Sequence, residues 1–152
     1  MKEKTLSVSA IKEGTVIDHI AAGQALKIIR LLRLAEEYRV TVGLNLKSRT
    51  KGLKDIIKIE NVFLTENQAA QIAIFSPSAT VNVIENYAVS KKFRVQLPEA
   101  IAAVLACPNP RCISHIEKIP TLFTLEENNS HVILRCKYCE KLFSRDEMKE
   151  RI

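Results

Sequence analysis

The sequence predicts an α+β protein in two parts: an N-terminal split βαβ (ferredoxin-like) sandwich, with two helices on an antiparallel sheet, and a small C-terminal all-β region. Over about the first 95 residues, alternating and amphipathic segments follow one another in the order strand, helix, strand, strand, helix, strand. Beyond residue 96 the pattern changes to short strand candidates and to turns that contain all four cysteines. We therefore predict two domains, residues 1–96 and residues 97–152, joined at the segment 96–99.

The first half of the sandwich is predicted from alternation and helical spacing. A strand is predicted at Thr5–Lys12, and Gly14 is predicted to end it. An apolar stripe at helical spacing predicts an amphipathic helix over Ala22–Ala35. The alternation of Arg39–Leu46 predicts a half-buried strand, antiparallel to a second one at Leu53–Ile59. Its inward residues are predicted to be Val40, Val42, Leu44 and Leu46.

The second half begins with a helix-capping pattern. Thr65 with Gln68 three residues later predicts a capping box, which opens a helix through about Phe75. Strands are predicted at Thr80–Asn86 and, as a shorter one, within Tyr87–Val95. The strand candidates of the C-terminal region are Val104–Cys107, Leu122–Leu125 and Val132–Cys136.

The composition is that of a globular protein, with 47% hydrophobic and 26% charged residues. No stretch approaches the ~18 consecutive apolar residues of a membrane-spanning helix. The first five residues lack the apolar stretch of a secretory signal. These observations predict a cytoplasmic protein with no membrane partner.

The positive charge is confined to one part of the chain. The net charge of +6 lies in residues 1–96, which contain 15 Lys and Arg against 9 Asp and Glu, whereas residues 97–152 contain eight of each kind. An excess of positive charge attracts anions such as nucleotides, phosphates and nucleic acid.

The four cysteines have the spacing of a metal site. Cys107 and Cys112 are separated by four residues, Cys136 and Cys139 by two, and the two pairs by 23. Each pair on a tight turn directs two sulfurs at one point, and the insert brings the two turns together. Because all four positions are taken by protein, we predict one structural Zn²⁺ per chain and no open position for a catalytic water. His115 is an alternative ligand that four thiolates make unnecessary.

A candidate anion site lies in the N-terminal region. Lys54, Ile56 and Lys58 share one face of a predicted strand, as do Asn82 and Ile84 of another. From the residues alone, a solvated sheet face is favoured over a phosphate site. Similarly, the pair Asp18–His19, predicted in a loop after the first strand, is more typical of a turn than of a site. The three histidines lie in no context that resembles a catalytic triad, and the four cysteines are predicted to be zinc ligands. We therefore predict a binding or regulatory protein, not an enzyme.

The chain resembles the regulatory chain family of aspartate carbamoyltransferase over nearly its whole length. The stretches that carry the resemblance are Ala10–Ile20, Gly43–Leu46, Lys54–Asn61, Ala79–Asn82, Cys107–Asn109, Cys112–His115 and Cys136–Glu140. Three positions depart from the pattern of the family: Thr5 stands in place of a lysine, Ser9 in place of a glutamate, and Arg111 in place of an asparagine.

The resemblance implies a regulatory function in pyrimidine biosynthesis. It implies an N-terminal allosteric domain that binds CTP as inhibitor and ATP as activator, with UTP acting alongside CTP. It also implies that regulatory chains pair with one another, that three such dimers join two catalytic trimers, and that the zinc domain contacts the catalytic chain through Asn109, Arg111 and Glu140. The implied effector-binding residues are Val8, Ala10, Ile11, Asp18, His19, Lys54, Ile56, Lys58, Asn82, Ile84, Tyr87, Val89 and Lys92.

Two other functions are weighed against this one. A zinc ribbon that binds nucleic acid is suggested by the pI near 9.2. The neutral charge of the cysteine region and the small number of aromatic residues, five Phe and three Tyr without Trp, disfavour it, and we expect no nucleic-acid partner. A stand-alone redox protein would require thiols that react without loss of metal.

Overall fold

The computed structural model describes residues 10–49, 52–129 and 131–151 of the chain. Its N-terminal region contains five strands and two helices among the described residues. These are β1 Gly14–Ala21, α1 Ala25–Leu31, β2 Val40–Lys47, β3 Leu53–Glu60, α2 Glu66–Phe75, β4 Thr80–Glu85 and β5 Ala88–Arg94.

The five strands form one antiparallel sheet in the order β2-β3-β1-β4-β5. Strands β1 to β4 have the order of a split βαβ sandwich, with β5 added at one edge. The two helices contribute Ile28 and Ile72 to the same core as Ile17, Ile57 and Val81 of the sheet. The predicted fold class is therefore confirmed. No helix among the described residues covers the opposite face of the sheet, which we call the open face.

The first predicted strand, Thr5–Lys12, lies largely outside the described residues. Its described part, residues 10–12, is not in a strand. Gly14 begins β1 instead of ending a strand. A Cβ atom at Gly14 would overlap the carbonyl oxygen of Ile59, and φ is +145°, so glycine allows β1 to approach β3 closely at this point.

Two further predictions need correction. The helix predicted over Ala22–Ala35 is too long, because α1 covers only Ala25–Leu31. Arg33 adopts a left-handed conformation with φ +55°, and a 3₁₀ turn follows at Leu34–Glu36. In β2, Leu44 and Leu46 are exposed and not inward. A β-bulge between Gly43 and Leu46, in which Asn45 has φ +58°, interrupts the two-residue alternation.

The C-terminal region consists of short strands around the cysteines. The elements are β6 Ala100–Ala102, β7 Leu105–Ala106, α3 Ile113–Ile116, β8 Leu122–Asn128, β9 His131–Cys136, β10 Leu142–Ser144, a 3₁₀ turn at Arg145–Glu147 and β11 Lys149–Glu150. A four-stranded antiparallel sheet has the order β10-β9-β8-β6, and a two-stranded ribbon pairs β11 with β7.

The buried apolar residues of the two regions form one continuous cluster. The longest helix in the described part of the chain, α2, has ten residues. A helix of that length does not cross the ~30 Å hydrocarbon core of a bilayer.

Candidate metal centre and anion-binding face

The four cysteines converge on a single point. One ligand atom from each of Cys107, Cys112, Cys136 and Cys139 lies within 4.8 Å of all the others. The Sγ atoms of Cys107 and Cys139 are 3.7 Å apart, as are those of Cys112 and Cys136. None of the four is in a disulfide, and three of them are buried.

These separations fit a tetrahedral zinc ion. Four sulfurs at a Zn–S distance of about 2.3 Å form a regular tetrahedron with edges of about 3.8 Å. The donor set, four thiolates and no open position, is that of structural zinc. The predicted zinc site is therefore supported by geometry as well as by spacing.

Each cysteine pair lies on a turn held by backbone hydrogen bonds. In the first turn, the N–H of Cys112 donates to the carbonyl of Asn109 at 3.1 Å. In the second, which follows β9 directly, the N–H of Glu140 donates to the carbonyl of Cys136 at 2.9 Å. Glu140 has φ +61°, a left-handed conformation that closes the turn. Strand β9 thus delivers one pair of sulfurs, and the loop before α3 delivers the other.

Neighbouring groups complete the surroundings of the cysteines. The hydroxyl of Ser114 donates to the sulfur of Cys112 at 3.2 Å. His115 directs Nε2 at the carbonyl of Cys107, 2.8 Å away, and not at the sulfur cluster, so it is not among the ligands.

The pKa values of the thiols differ across the cluster. Burial raises the pKa values of Cys107 and Cys136. Burial also acts to raise the pKa of Cys139, but hydrogen bonds from the backbone of Lys141 and the side chain of Asn109 outweigh it and lower that pKa to about 7. A bound dication favours the thiolate at all four positions, and its binding therefore releases protons.

The second candidate site lies on the open face of the N-terminal sheet. The register places Lys58 beside Val16, Val16 beside Asn82, and Asn82 beside Lys92. Since cross-strand partners point to the same face, these four side chains form one row across the sheet. The buried neighbours Ile57 and Ile59 of β3 lie on the other face, against the helices.

A β-bulge in β1 shapes the end of this face. Ile17 pairs with Ile57 and Ile20 with Asp55, so β1 has one extra residue at this point. As a result Ile17 and Ile20, three residues apart, are both fully buried, and Asp18 and His19 lie between them. The prediction that Asp18–His19 lies in a loop after the first strand was wrong, because the pair is within β1.

Asp18 is held by an ion pair and a backbone hydrogen bond. Lys54 Nζ lies 2.9 Å from Asp18 Oδ1, and the N–H of His19 donates to the same oxygen at 2.7 Å. Burial raises the pKa of Asp18, but these two hydrogen bonds and the positive charges of Lys54 and His19 outweigh it, and the pKa is lowered. His19 Nδ1 lies 3.1 Å from the hydroxyl of Thr80.

The open face contains a cleft of about 330 Å³, which we call the open-face cleft. It is lined by Ala10, Ile11, Val16, Asp18, Lys58, Asn82, Ile84, Tyr87 and Val89. Eight of the thirteen residues implied by the resemblance thus line one cleft. Val16 was missed by the sequence analysis, although its alternation with Asp18 places it on that face.

The other implied residues lie elsewhere. Lys54 and His19 line an adjacent hollow of about 550 Å³ that extends to Glu127 and Arg145 of the C-terminal region. Ile56 and Lys92 line neither cavity, although Lys92 is on the same row as Asn82. Val8 lies outside the described residues, as do Thr5 and Ser9.

The three implied partner-contact residues lie beside the metal centre. Arg111 and Glu140 are exposed, and Asn109 is partly buried. The side-chain oxygen of Asn109 accepts the N–H of Arg111 at 3.1 Å. Both cysteine turns therefore present side chains to the surface.

Two family models match the chain. The model described as "aspartate carbamoyltransferase regulatory chain, allosteric domain" matches residues 6–96. The model described as "aspartate carbamoyltransferase regulatory chain, metal binding domain" matches residues 99–149. The second match contains the four cysteines of the metal centre.

Curated relatives match over the full length. The chain is 54% identical to the aspartate carbamoyltransferase regulatory chain of Aeromonas hydrophila over 153 aligned positions, which cover 99% of each chain. It is 53% identical to that of Vibrio cholerae serotype O1 over 150 positions, or 98% of this chain and 97% of the relative. The regulatory chain of Chromobacterium violaceum is also 53% identical, over 96% of this chain and 97% of that protein.

Proposed function

Since the chain belongs to the family of aspartate carbamoyltransferase regulatory chains, which are non-catalytic subunits, we propose that it binds nucleotide effectors and controls the catalytic chain of that enzyme in pyrimidine biosynthesis. In this proposal CTP and UTP inhibit and ATP activates. Residues 1–96 form the effector-binding domain, and residues 97–152 form the zinc domain that contacts the catalytic chain. The full-length family match favours this function over a nucleic-acid-binding ribbon or a redox protein.

The open-face cleft is the observation that carries the effector proposal. Its lining combines the ammonium group of Lys58 with the amide of Asn82, and Lys92, which lies outside the cleft, continues the same row next to Asn82. Ammonium groups attract phosphate, and an amide both donates to and accepts from a base or a ribose. The apolar side chains of Val16 and Ile84 lie along the same cleft and supply a surface for a base. This is the chemistry that a nucleoside triphosphate requires.

Control of the catalytic chain follows from linkage. A nucleotide shifts an equilibrium between two states of the assembly only by the difference in its affinity for them, typically ~1–3 kcal/mol. The zinc domain is the proposed contact, through Asn109, Arg111 and Glu140 beside the cysteine turns. Metal binding makes those turns rigid, so the contact surface depends on the metal.

Self-association is proposed through β2. This strand is at the edge of the sheet, and Leu44 and Leu46 on it are 44% and 40% exposed. An edge strand with exposed apolar side chains is suited to pairing with another copy. We expect Leu44→Lys to shift the zinc-loaded chain from dimer to monomer in sedimentation experiments, with Leu142→Lys, at an exposed leucine of the C-terminal region, as the control. A dimer that survives Leu44→Lys would contradict this surface.

Direct binding tests the effector site. Lys58→Met removes a charged hydrogen-bond donor, and the loss of a charge-assisted bond of about 1.5–3 kcal/mol weakens nucleotide binding roughly ten- to hundredfold. Calorimetric titration of CTP and ATP into the zinc-loaded chain measures the change. Lys118→Met, an exposed lysine of the C-terminal region, is the matched control and should bind normally. Equal affinities for the two variants would refute the site.

The assembled enzyme tests the regulatory function. The chain is mixed with its catalytic chain, and the rate is followed against aspartate concentration with and without CTP, UTP and ATP. We expect CTP, with UTP in support, to raise the aspartate concentration needed for half-maximal rate and ATP to lower it. An aspartate response that no nucleotide changes would refute the proposal.

A further inference from the structure

The last turn of the C-terminal region reaches back to both helices of the N-terminal region. Arg145 Nη1 donates to the carbonyl of Phe75, the final residue of α2, at 2.8 Å. The next residue, Asp146, accepts a hydrogen bond from Lys27 Nζ of α1 at 3.1 Å. Arg145–Glu147 is itself fixed by a capping box, in which Glu147 Oε2 accepts the N–H of Ser144 at 2.8 Å. We call the contacts of Arg145 and Asp146 the clasp.

The arginine supplies what the end of α2 lacks. The last turn of α2 contains no basic residue. The final carbonyl groups of a helix have no partner within the helix, and their dipoles favour a nearby cation. Arg145 meets both requirements from a distant part of the sequence, since it lies 70 positions after Phe75. Met148, just after the 3₁₀ turn, is buried with 3% exposure and anchors the same segment.

The segment that follows Phe75, residues 76–78, is hydrogen-bonded to β1 at and next to its bulge. Ser76 is fully buried, and its Oγ accepts the N–H of Ala21 at 2.9 Å. Ser78 Oγ donates to the carbonyl of His19 at 2.9 Å, and the two serine oxygens are 3.3 Å apart. Four consecutive residues, 75–78, are thus held by Arg145 at one end and by the bulge at the other.

We propose that Arg145 is a positioning residue that couples the β1 bulge to the metal-binding region. The bulge carries Asp18, which lines the open-face cleft, and His19, which lines the hollow that Arg145 also lines. A ligand that moves the bulge therefore also moves the carbonyl that Arg145 holds. The idea that the clasp transmits nucleotide binding rests on the proposed function. The idea that it links the two regions mechanically is independent of that function.

Hydrogen exchange tests the mechanical link in the zinc-loaded chain without any nucleotide. The reporters are the amides of Ala21, which donates to Ser76 Oγ, and of Ala79, which donates to the Ser76 carbonyl at 3.1 Å. We expect Arg145→Met to accelerate exchange at both amides at least about threefold, and the core amides of β3 to be unchanged. Arg145→Lys, which keeps a cation and a donor, should restore part of the protection. Arg30→Met removes the cation in the last turn of α1 and serves as the matched control.

The assembled enzyme tests the transmission. With Arg145→Met we expect the effects of CTP and ATP on the half-saturating aspartate concentration to fall to about a third or less. The affinity of the isolated chain for CTP should stay within about twofold of its original value. If Arg145 had a merely structural role, the nucleotide effects and the CTP affinity would instead change together, or neither would change.

The outcomes separate the two ideas. Unchanged exchange at Ala21 and Ala79 would overturn the clasp, and intact nucleotide effects with Arg145→Met would overturn its role in transmission. A wild-type enzyme that does not respond to nucleotides contradicts the proposed function, and the exchange data then decide on the clasp alone. If Arg145→Met does not fold, Asp146→Asn, at a side chain that is 68% exposed, must give a smaller change in the same direction or the clasp is refuted.

Discussion

Asp55 is a buried carboxylate that joins three separate segments of backbone. Its Oδ2 accepts the N–H groups of Gly23 and Ala25, at 3.0 and 3.1 Å, and its Oδ1 accepts that of Asn45 at 2.9 Å. The first two bonds fix the start of α1, and the third fixes the bulge of β2. From its place in β3, this one side chain therefore holds both the start of α1 and the bulge of β2.

Replacement of this carboxylate by an amide is expected to be costly. In Asp55→Asn one oxygen becomes an NH₂ group that faces N–H donors, so at least one of the three buried or partly buried hydrogen bonds is lost. An unpaired buried group costs about 1–3 kcal/mol. We expect a loss of that size in urea unfolding, seen as a lower midpoint with an unchanged slope. Asp146→Asn, at an exposed ion pair, is expected to cost less than about 1 kcal/mol, and equal losses for the two variants would contradict the role of Asp55.

Asp18 predicts a specific dependence of stability on pH. Its pKa lies below the ordinary value of 3.8 in the folded chain. The stability it contributes is therefore present at pH values above 3.8 and is lost as the pH falls through the lowered pKa. We expect Asp18→Asn to be less stable than the original chain at about pH 7 and the difference to vanish at low pH. Unfolding in urea at several pH values measures this difference, and one that persisted or grew below about pH 3 would contradict the assignment.

At the level of elements, α2 shows how far local sequence determines a boundary. The predicted capping box is present: the N–H of Gln68 donates to Thr65 Oγ1 at 3.1 Å, and Gln68 Oε1 accepts the N–H of Thr65 at 2.9 Å. The helix also ends at Phe75, as predicted. Both boundaries could be predicted from residues within or next to the helix, although Arg145, from a distant part of the chain, also contacts the last carbonyl.

Removal of this cap should destabilise α2 by a modest and defined amount. Thr65→Ala leaves the N–H of Gln68 without its acceptor, and loss of such a cap costs about 1 kcal/mol. Thermal or urea unfolding measures the loss. Thr65→Ser keeps the hydroxyl and should retain most of the stability. A serine variant as unstable as the alanine variant would show that the lost methyl group, and not the cap, is responsible.

The bulges show what the pattern of apolar residues does not reveal. Strict two-residue alternation placed Leu44 and Leu46 inward, whereas the bulge at Asn45 leaves both exposed. The bulge in β1 similarly brings Asp18 and His19 into a strand that alternation did not identify. The bulge in β2 is held by a hydrogen bond from the N–H of Asn45 to Asp55 on the neighbouring strand. The local periodicity of the sequence contains no information about that hydrogen bond.

The same contrast holds for the two candidate sites. The four cysteines were predicted from spacing alone, because zinc requires a small set of ligand types on two turns. Lys58 and Asn82 come to lie in one row only because the strand order is β3-β1-β4, with Val16 of β1 between them. The residues alone favoured a solvated face there, and it was the family resemblance that indicated a site.

At the level of the whole molecule, the two regions differ in what stabilises them. In the described part of the N-terminal region, the five-stranded sheet and two helices share a core rich in branched aliphatic residues. The C-terminal region has short strands, and three of its buried core positions are the cysteines Cys107, Cys112 and Cys136. Without metal, the two turns that carry these cysteines lose the ion that would hold them together. We therefore expect the C-terminal region to depend on zinc for its fold and the N-terminal region to depend on it much less.

Metal removal tests this difference and the proposed assembly together. After chelation under reducing conditions, we expect the amides of β8 and β9 to exchange rapidly, whereas those of β1 and β3 stay protected. Because the contact with the catalytic chain is proposed to lie beside the cysteine turns, the metal-free chain should also fail to join it, while the catalytic chain alone remains active. Returning zinc should restore both protection and assembly, and magnesium, which prefers oxygen ligands, should restore neither. Retention of slow exchange in β9 by a metal-free chain that still binds its catalytic partner would show that the four sulfurs are not what holds this region together.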